Sequence, residues 1–170
     1  MSIETLIETW KDVRKGVIAE VSKIPPDKFE FKATPDTRTV AEITAHIIGT
    51  QALLVGEMCR SDTNLMRAPF PDMVKQYSPE LSATKDKDGL LKLLTSGQEA
   101  AAEKIQAFGE EGLKEQTRRF DGKMITKLAL LHFSYSHEMY HRGQLAVYER
   151  LLNIEPALTT RFKELLAARQ

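Results

Sequence analysis

One cysteine, no net charge and no long apolar run: these shortages narrow the 170-residue chain before any motif is considered. Cys59 has no second cysteine to pair with, so no intrachain disulfide can form, which fits a reducing, cytoplasmic compartment. Set among apolar neighbours, it is expected to be a small buried hydrophobe rather than a nucleophile. Lysine plus arginine (24) equals aspartate plus glutamate (24), and this balance leaves no electrostatic footprint for nucleic acid or an anionic membrane surface. No stretch approaches membrane-spanning length, and the acidic start MSIETLIETWKDVRKG does not fit a secretory signal. Repeats and low-complexity tracts are absent. With 42% hydrophobic and 28% charged residues, residues 1–170 read as one soluble globular domain with enough apolar content for a core.

The apolar positions recur at helical spacing. Ile3, Leu6, Ile7, Trp10, Val13, Val17 and Val21 mark a first helix, which Pro25 and Pro26 end. Phe29 to Asp36 reads as a loop. Thr39 followed by Glu42 makes a capping box for a second helix from Val40 to about Met58. Ser61 to Pro79 reads as a long surface connection of the kind that often carries function. A third helix, capped by Asp86 or Asp88, carries Leu90, Leu94, Ala101 and Ile105 and closes at Gly109. Asp121-Gly122, between Phe120 and Met124, signals a short extended excursion. A fourth helix runs from Thr126 to about Leu152, with Val147 among its apolar positions, and Pro156 opens a short fifth. Little β signal and four long amphipathic segments predict an all-α helix bundle.

Chemistry concentrates in HEMYHRGQ, residues 137–144. Side chains four apart on a helix stack on one face, so His137 and His141 can share a metal ion. Catalytic zinc takes three protein ligands, and two other histidines exist. His132 lies about 140° around the helix from His137 and should point elsewhere. His46 falls on the apolar stripe of the second helix with Ile43, Ile47, Thr50 and Leu54, at a comparable depth in the bundle. The predicted metal set is therefore His46, His137 and His141. Three neutral imidazoles suit zinc, nickel, copper and iron alike. A centre with open positions could acidify a bound water or hold a substrate thiol as thiolate. Gln144 could hydrogen-bond a ligand or substrate, while Glu138 and Arg142 project to the flanks, where a helix surface or subunit contact is the plainer role. Gly143 is expected to permit close helix approach.

HEMYH also matches HExxH, the zinc-protease helix in which Glu138 would be general base. The longer metzincin motif fails at Gln144 and Val147, leaving Glu155 or Glu164 as the acidic ligand of another class.

The inward histidine in TVAEITAHIIG and the later HxxxHRGQ resemble the DinB-like metal-binding family, related to YfiT-type and bacillithiol-transferase proteins. The likeness extends over nearly the whole chain in helix order and loop placement. It implies an up-down-type four-helix bundle with a short fifth C-terminal helix, and a divalent metal on His46, His137 and His141 at one mouth of the bundle. Nickel or zinc leads, with iron or manganese as alternatives. The family likeness also implies a homodimer and a metal-dependent hydrolase or thiol-S-transferase. Its substrate would be a small electrophilic molecule, with a low-molecular-weight thiol as co-substrate for transfer. The non-enzymatic alternative is a metal-binding stress-response protein.

Overall fold

The computed structural model describes residues 2–169. Helix α1 spans Ile3–Lys23, α2 Val40–Met58, α3 Phe70–Tyr77, α4 Lys87–Gly112, α5 Lys127–Leu151 and α6 Ala157–Ala167, with strands β1 (Gln116–Arg118) and β2 (Met124–Thr126) between α4 and α5. The long helices begin where a side-chain oxygen meets an otherwise unpaired backbone N–H. Ser2, Asp86 and Thr126 accept from Thr5, Gly89 and Ala129, and Thr39 and Glu42 form the reciprocal capping box.

Helices α1, α2, α4 and α5 form a four-helix bundle, and α6 is the short C-terminal addition. Both α1 and α2 pack against α4 and α5, so α1 faces α2 across the diagonal and α4 faces α5. This ring order makes α2 a neighbour of α5.

The core has two parts. Leu6, Trp10, Leu54, Met58, Ile105 and Leu131 belong to one, and Val17, Val21, Ile43, Ile47, Leu94 and Leu145 to the other. Passage between them gives each helix its direction: α1 and α5 run from the first part to the second, α2 and α4 the opposite way. The chain from α2 to α4 must therefore travel back along the bundle, which is why that connection is long. Between the two apolar parts lies a polar belt, with Arg14 on α1, Thr50 and Gln51 on α2, and Glu138 and His141 on α5, all buried.

Several expectations are corrected. The connection expected over Ser61 to Pro79 contains helix α3, too short for its apolar side to stand out in the sequence. Met73 buries its side chain, and Tyr77 lies flat against Gly56, where a Cβ would come within 2.3 Å of the ring. Glu57 holds the same segment, accepting from Tyr77 Oη at 2.5 Å and Arg67 Nε at 2.8 Å. Cys59 is exposed, because it caps α2 one residue beyond the buried Met58 and turns outward. Val147 is also exposed. At Gly109, φ of 61° breaks α4 as expected, yet one more turn follows to Gly112. The Asp121-Gly122 turn closes the β1–β2 hairpin, with Gly122 at φ 81°. Leu65 N–H donates to Arg118 at 2.9 Å, pinning the hairpin to the chain before α3.

Candidate metal centre

The antiparallel contact of α2 and α5 brings His46, His137 and His141 together, with donor atoms all within 4.8 Å of one another. His137 Nε2 lies 3.0 Å from His46 Nε2 and 3.1 Å from His141 Nε2. His132, by contrast, is exposed, as its angle around the helix requires.

The proton inventory tests whether a cation fits. Gln144 Oε1 is 2.7 Å from His141 Nδ1, so Nδ1 carries the hydrogen and donates, leaving His141 Nε2 bare in the neutral ring. The Nε2 of His137 has two nitrogen neighbours and at most one hydrogen to offer. One ring proton cannot serve both contacts, whereas one cation accepts all three lone pairs. Three nitrogens at zinc-ligand distance on a tetrahedral centre would lie about 3.3 Å apart, close to the two spacings that His137 makes with His46 and His141.

Electrostatics keep these rings neutral. Burial lowers His46 to about 4 and His137 to about 3, with neighbouring histidines and Arg38 adding to the effect. His141 is lowered too, chiefly by burial, against the opposing pull of its bond to Gln144. Neutral imidazole is the form that binds metal.

Aromatic rings surround the cluster. Phe70 from α3 stands 6.0 Å from His46, Phe133 6.2 Å from His137 and Tyr140 5.1 Å from His141, measured between centroids. A cavity of about 450 Å³ beside His46 is lined by Leu53, Leu65, Phe70, Met73 and Phe120, with Arg38 at its rim. On the other side, about 800 Å³ opens between Arg38, Ile43, Tyr140, Gly143, Gln144 and Tyr148.

Of the neighbours expected to tune the centre, Gln144 does touch a histidine. Glu138 and Arg142 do not act there. Glu138 is fully buried on the side of α5 that faces α1, about a quarter turn from the histidines, where Arg14 and Trp10 Nε1 occupy its carboxylate. This removes it both from the flank and from the role of protease base. Arg142 reaches back to Glu20, with Nε at 3.2 Å and Nη2 at 3.1 Å, in a space kept free by Gly16. Glu20 Oε2 also accepts from Ala157 N–H at 2.6 Å, so this ion pair fastens α6 to α1 and α5. Glu155 bonds Lys163 and Thr160. Gly143 has nothing within 4 Å of where a Cβ would stand, so it opens a cavity rather than admitting a helix. Arg38 was not singled out by the sequence pattern, since one arginine in a loop has no periodicity to betray it.

A helical bundle carrying three convergent, neutral histidines beside open cavities defines a class of candidate metal-binding bundle proteins. The chain belongs to the DinB family, whose model matches residues 1–168. The fold is shared with a DinB-like protein from Bacillus subtilis (TM-score 0.67, 21% identity, covering 88% of this chain and 92% of that one). It is shared with Bacillus subtilis YfiT, described as a probable metal-dependent hydrolase with an unusual four-helix bundle topology (0.68, 16%, 90% and 89%). A mycothiol-dependent maleylpyruvate isomerase also matches (0.68, 14%, 85% and 61%). No curated protein matches at the sequence level.

Proposed function

We propose that this chain is a divalent-metal-dependent enzyme, a hydrolase or thiol-S-transferase acting on a small electrophile, with His46, His137 and His141 as the metal ligands. The observation that carries the reading is the convergence of three ring nitrogens beside accessible cavities. A structural site would instead be closed by a fourth protein ligand. Nickel or zinc is the proposed ion, with iron or manganese as alternatives; when bound it supplies Lewis acidity that favours the deprotonated form of water or thiol. Gln144 holds the His141 ring in the tautomer that presents Nε2. Phe70 and Phe133 set apolar rings on the flanks of the histidines. Both hydrolysis and thiol dependence occur in the descriptions of structural neighbours, so both stay within the proposal.

The deciding experiment is elemental analysis of protein purified without a nickel column, repeated on His46→Ala. Bound metal in the parent and its loss in the variant are expected; full occupancy in the variant would move the third ligand elsewhere. Nickel-, zinc- and manganese-loaded protein should then turn over a member of ester, amide or thiol-plus-electrophile panels. Complete inactivity would favour a non-enzymatic metal-binding stress-response protein.

The proposal extends to a cytoplasmic homodimer of single-domain chains. Helix α6 exposes Leu158, Phe162, Leu165 and Leu166, an apolar surface suited to a second copy. Sedimentation equilibrium should give twice the 19.2 kDa chain mass. Monomer at micromolar concentration would remove this part.

A further inference from the structure

Arg38 stands at the rim of the histidine cluster with no carboxylate to hold. Among the described residues Arg38 forms no pair with an aspartate or glutamate; Arg118, Arg150, Arg161 and Arg169 form none either, but of these five only Arg38 lines a cavity that His46 also lines. Its backbone is nevertheless firmly placed. Tyr148 Oη on α5 donates to the Arg38 carbonyl at 2.9 Å, and the next residue, Thr39, caps α2. The two helices that carry the histidines thus also fix the arginine between them.

The side chain borders three cavities: the apolar one beside His46, the one beside Gln144, and a third lined by Lys32, Asp36, Glu42 and His46. A guanidinium stays charged at any physiological pH. Three neutral ligands cancel none of a divalent ion's charge, so the loaded site would gather positive charge from ion and arginine together. An anionic group is the component that this arrangement lacks.

We infer that Arg38 anchors a carboxylate of the substrate, and that the substrate is a small carboxylate-bearing electrophile whose apolar body occupies the cavity of Leu53, Leu65, Phe70, Met73 and Phe120. A guanidinium fork matches a planar carboxylate with two parallel hydrogen bonds. The cavity beside His46, about 450 Å³, has room for a single aromatic ring with a short chain.

This deepens the proposed enzymatic reading and rests on it for what happens to the electrophile, although anion capture itself requires no metal. The test therefore uses metal-free protein. Isothermal titration compares 3-phenylpropanoate with its uncharged analogue 3-phenylpropanamide, on the parent chain, Arg38→Gln and Arg38→Lys. The parent should bind the carboxylate at least about tenfold more tightly than the amide, Arg38→Gln should lose that preference, and Arg38→Lys should recover part of it. An Arg38→Gln protein with unchanged helical circular dichroism and parent-like carboxylate affinity would overturn the inference. So would a parent with no preference for the acid. A parallel zinc titration of the parent and His137→Ala judges the metal reading separately. If both bind zinc equally, the enzymatic proposal falls, and with it the claim that the captured anion is a substrate.

Discussion

Arg14 grips Glu138 with two parallel hydrogen bonds, Nε to Oε2 at 2.9 Å and Nη2 to Oε1 at 2.6 Å, and neither side chain has any solvent exposure. Trp10 Nε1 adds a third donor at 3.3 Å, and the remaining Arg14 nitrogen, Nη1, reaches the Leu94 carbonyl at 3.2 Å. One ion pair thus ties α1, α4 and α5 together in the polar belt between the two apolar cores.

Breaking a buried pair strands the surviving charge. Glu138→Ala should therefore destabilise the chain by about 3–5 kcal/mol in urea unfolding, while Arg14→Met combined with Glu138→Leu recovers most of that loss. A protease base would behave differently: Glu138→Ala would keep its stability and lose only turnover.

Gln144 acts through His141, so its removal should be read in metal affinity. Gln144→Ala is expected to weaken zinc binding about 10–100-fold in a competitive chelator titration, with the unfolding midpoint of metal-free protein little changed. Gln144→Glu keeps an acceptor on Nδ1 and should bind zinc at least as well as the parent. Equal affinity in Gln144→Ala would show that the ring needs no such support.

Glu149 supplies a pH dependence. It is fully buried, both its oxygens lack a donor among the described residues, and burial together with the Glu20 carboxyl pushes it up to about 8. A proton on Glu149 relieves the like-charge contact with the Glu20 carboxyl. Because the folded chain holds this proton more tightly than the unfolded one, its contribution is complete below the ordinary glutamate range and is lost as pH rises towards 8. Unfolding free energy should decline across that window, and Glu149→Gln should flatten the decline. An identical slope in parent and variant would place the titration elsewhere.

Two glycines should respond oppositely to alanine. At Gly143 a Cβ meets open space inside a helix, so Gly143→Ala should stabilise by about 0.5–1 kcal/mol. At Gly56 the same atom collides with the Tyr77 ring, and Gly56→Ala should lower the melting temperature and loosen α3, seen as faster amide exchange over Phe70–Tyr77.

Much of this architecture is legible in the sequence, and the reasons differ by feature. Thr39 with Glu42 marks the start of α2 because a capping box is a local device, complete within four residues. His137 and His141 can be paired because spacing on one helix fixes which side chains meet. What periodicity omits is the identity of the neighbour: it says that α2 buries a face, not that α5 lies against it and α1 does not. Glu138 and Arg142 look like surface residues because their partners, Arg14 and Glu20, lie more than a hundred positions away. Helix α3 escapes for a different reason, being too brief to repeat a pattern and held chiefly by Glu57 and the bare backbone at Gly56.

The diagonal placement of α1 and α2 bears on how the chain comes together over time. Neither helix can find its main neighbours in the hairpin they form with each other, so both await α4 and α5. His46 and His137, 91 positions apart, meet only where α2 docks on α5. Such distant pairing incurs the loop-closure entropy before any contact compensates it. A refolding experiment followed by an imidazole-sensitive cobalt spectrum would time the docking of α2 on α5, and its signal is expected to lag the rise of helical circular dichroism.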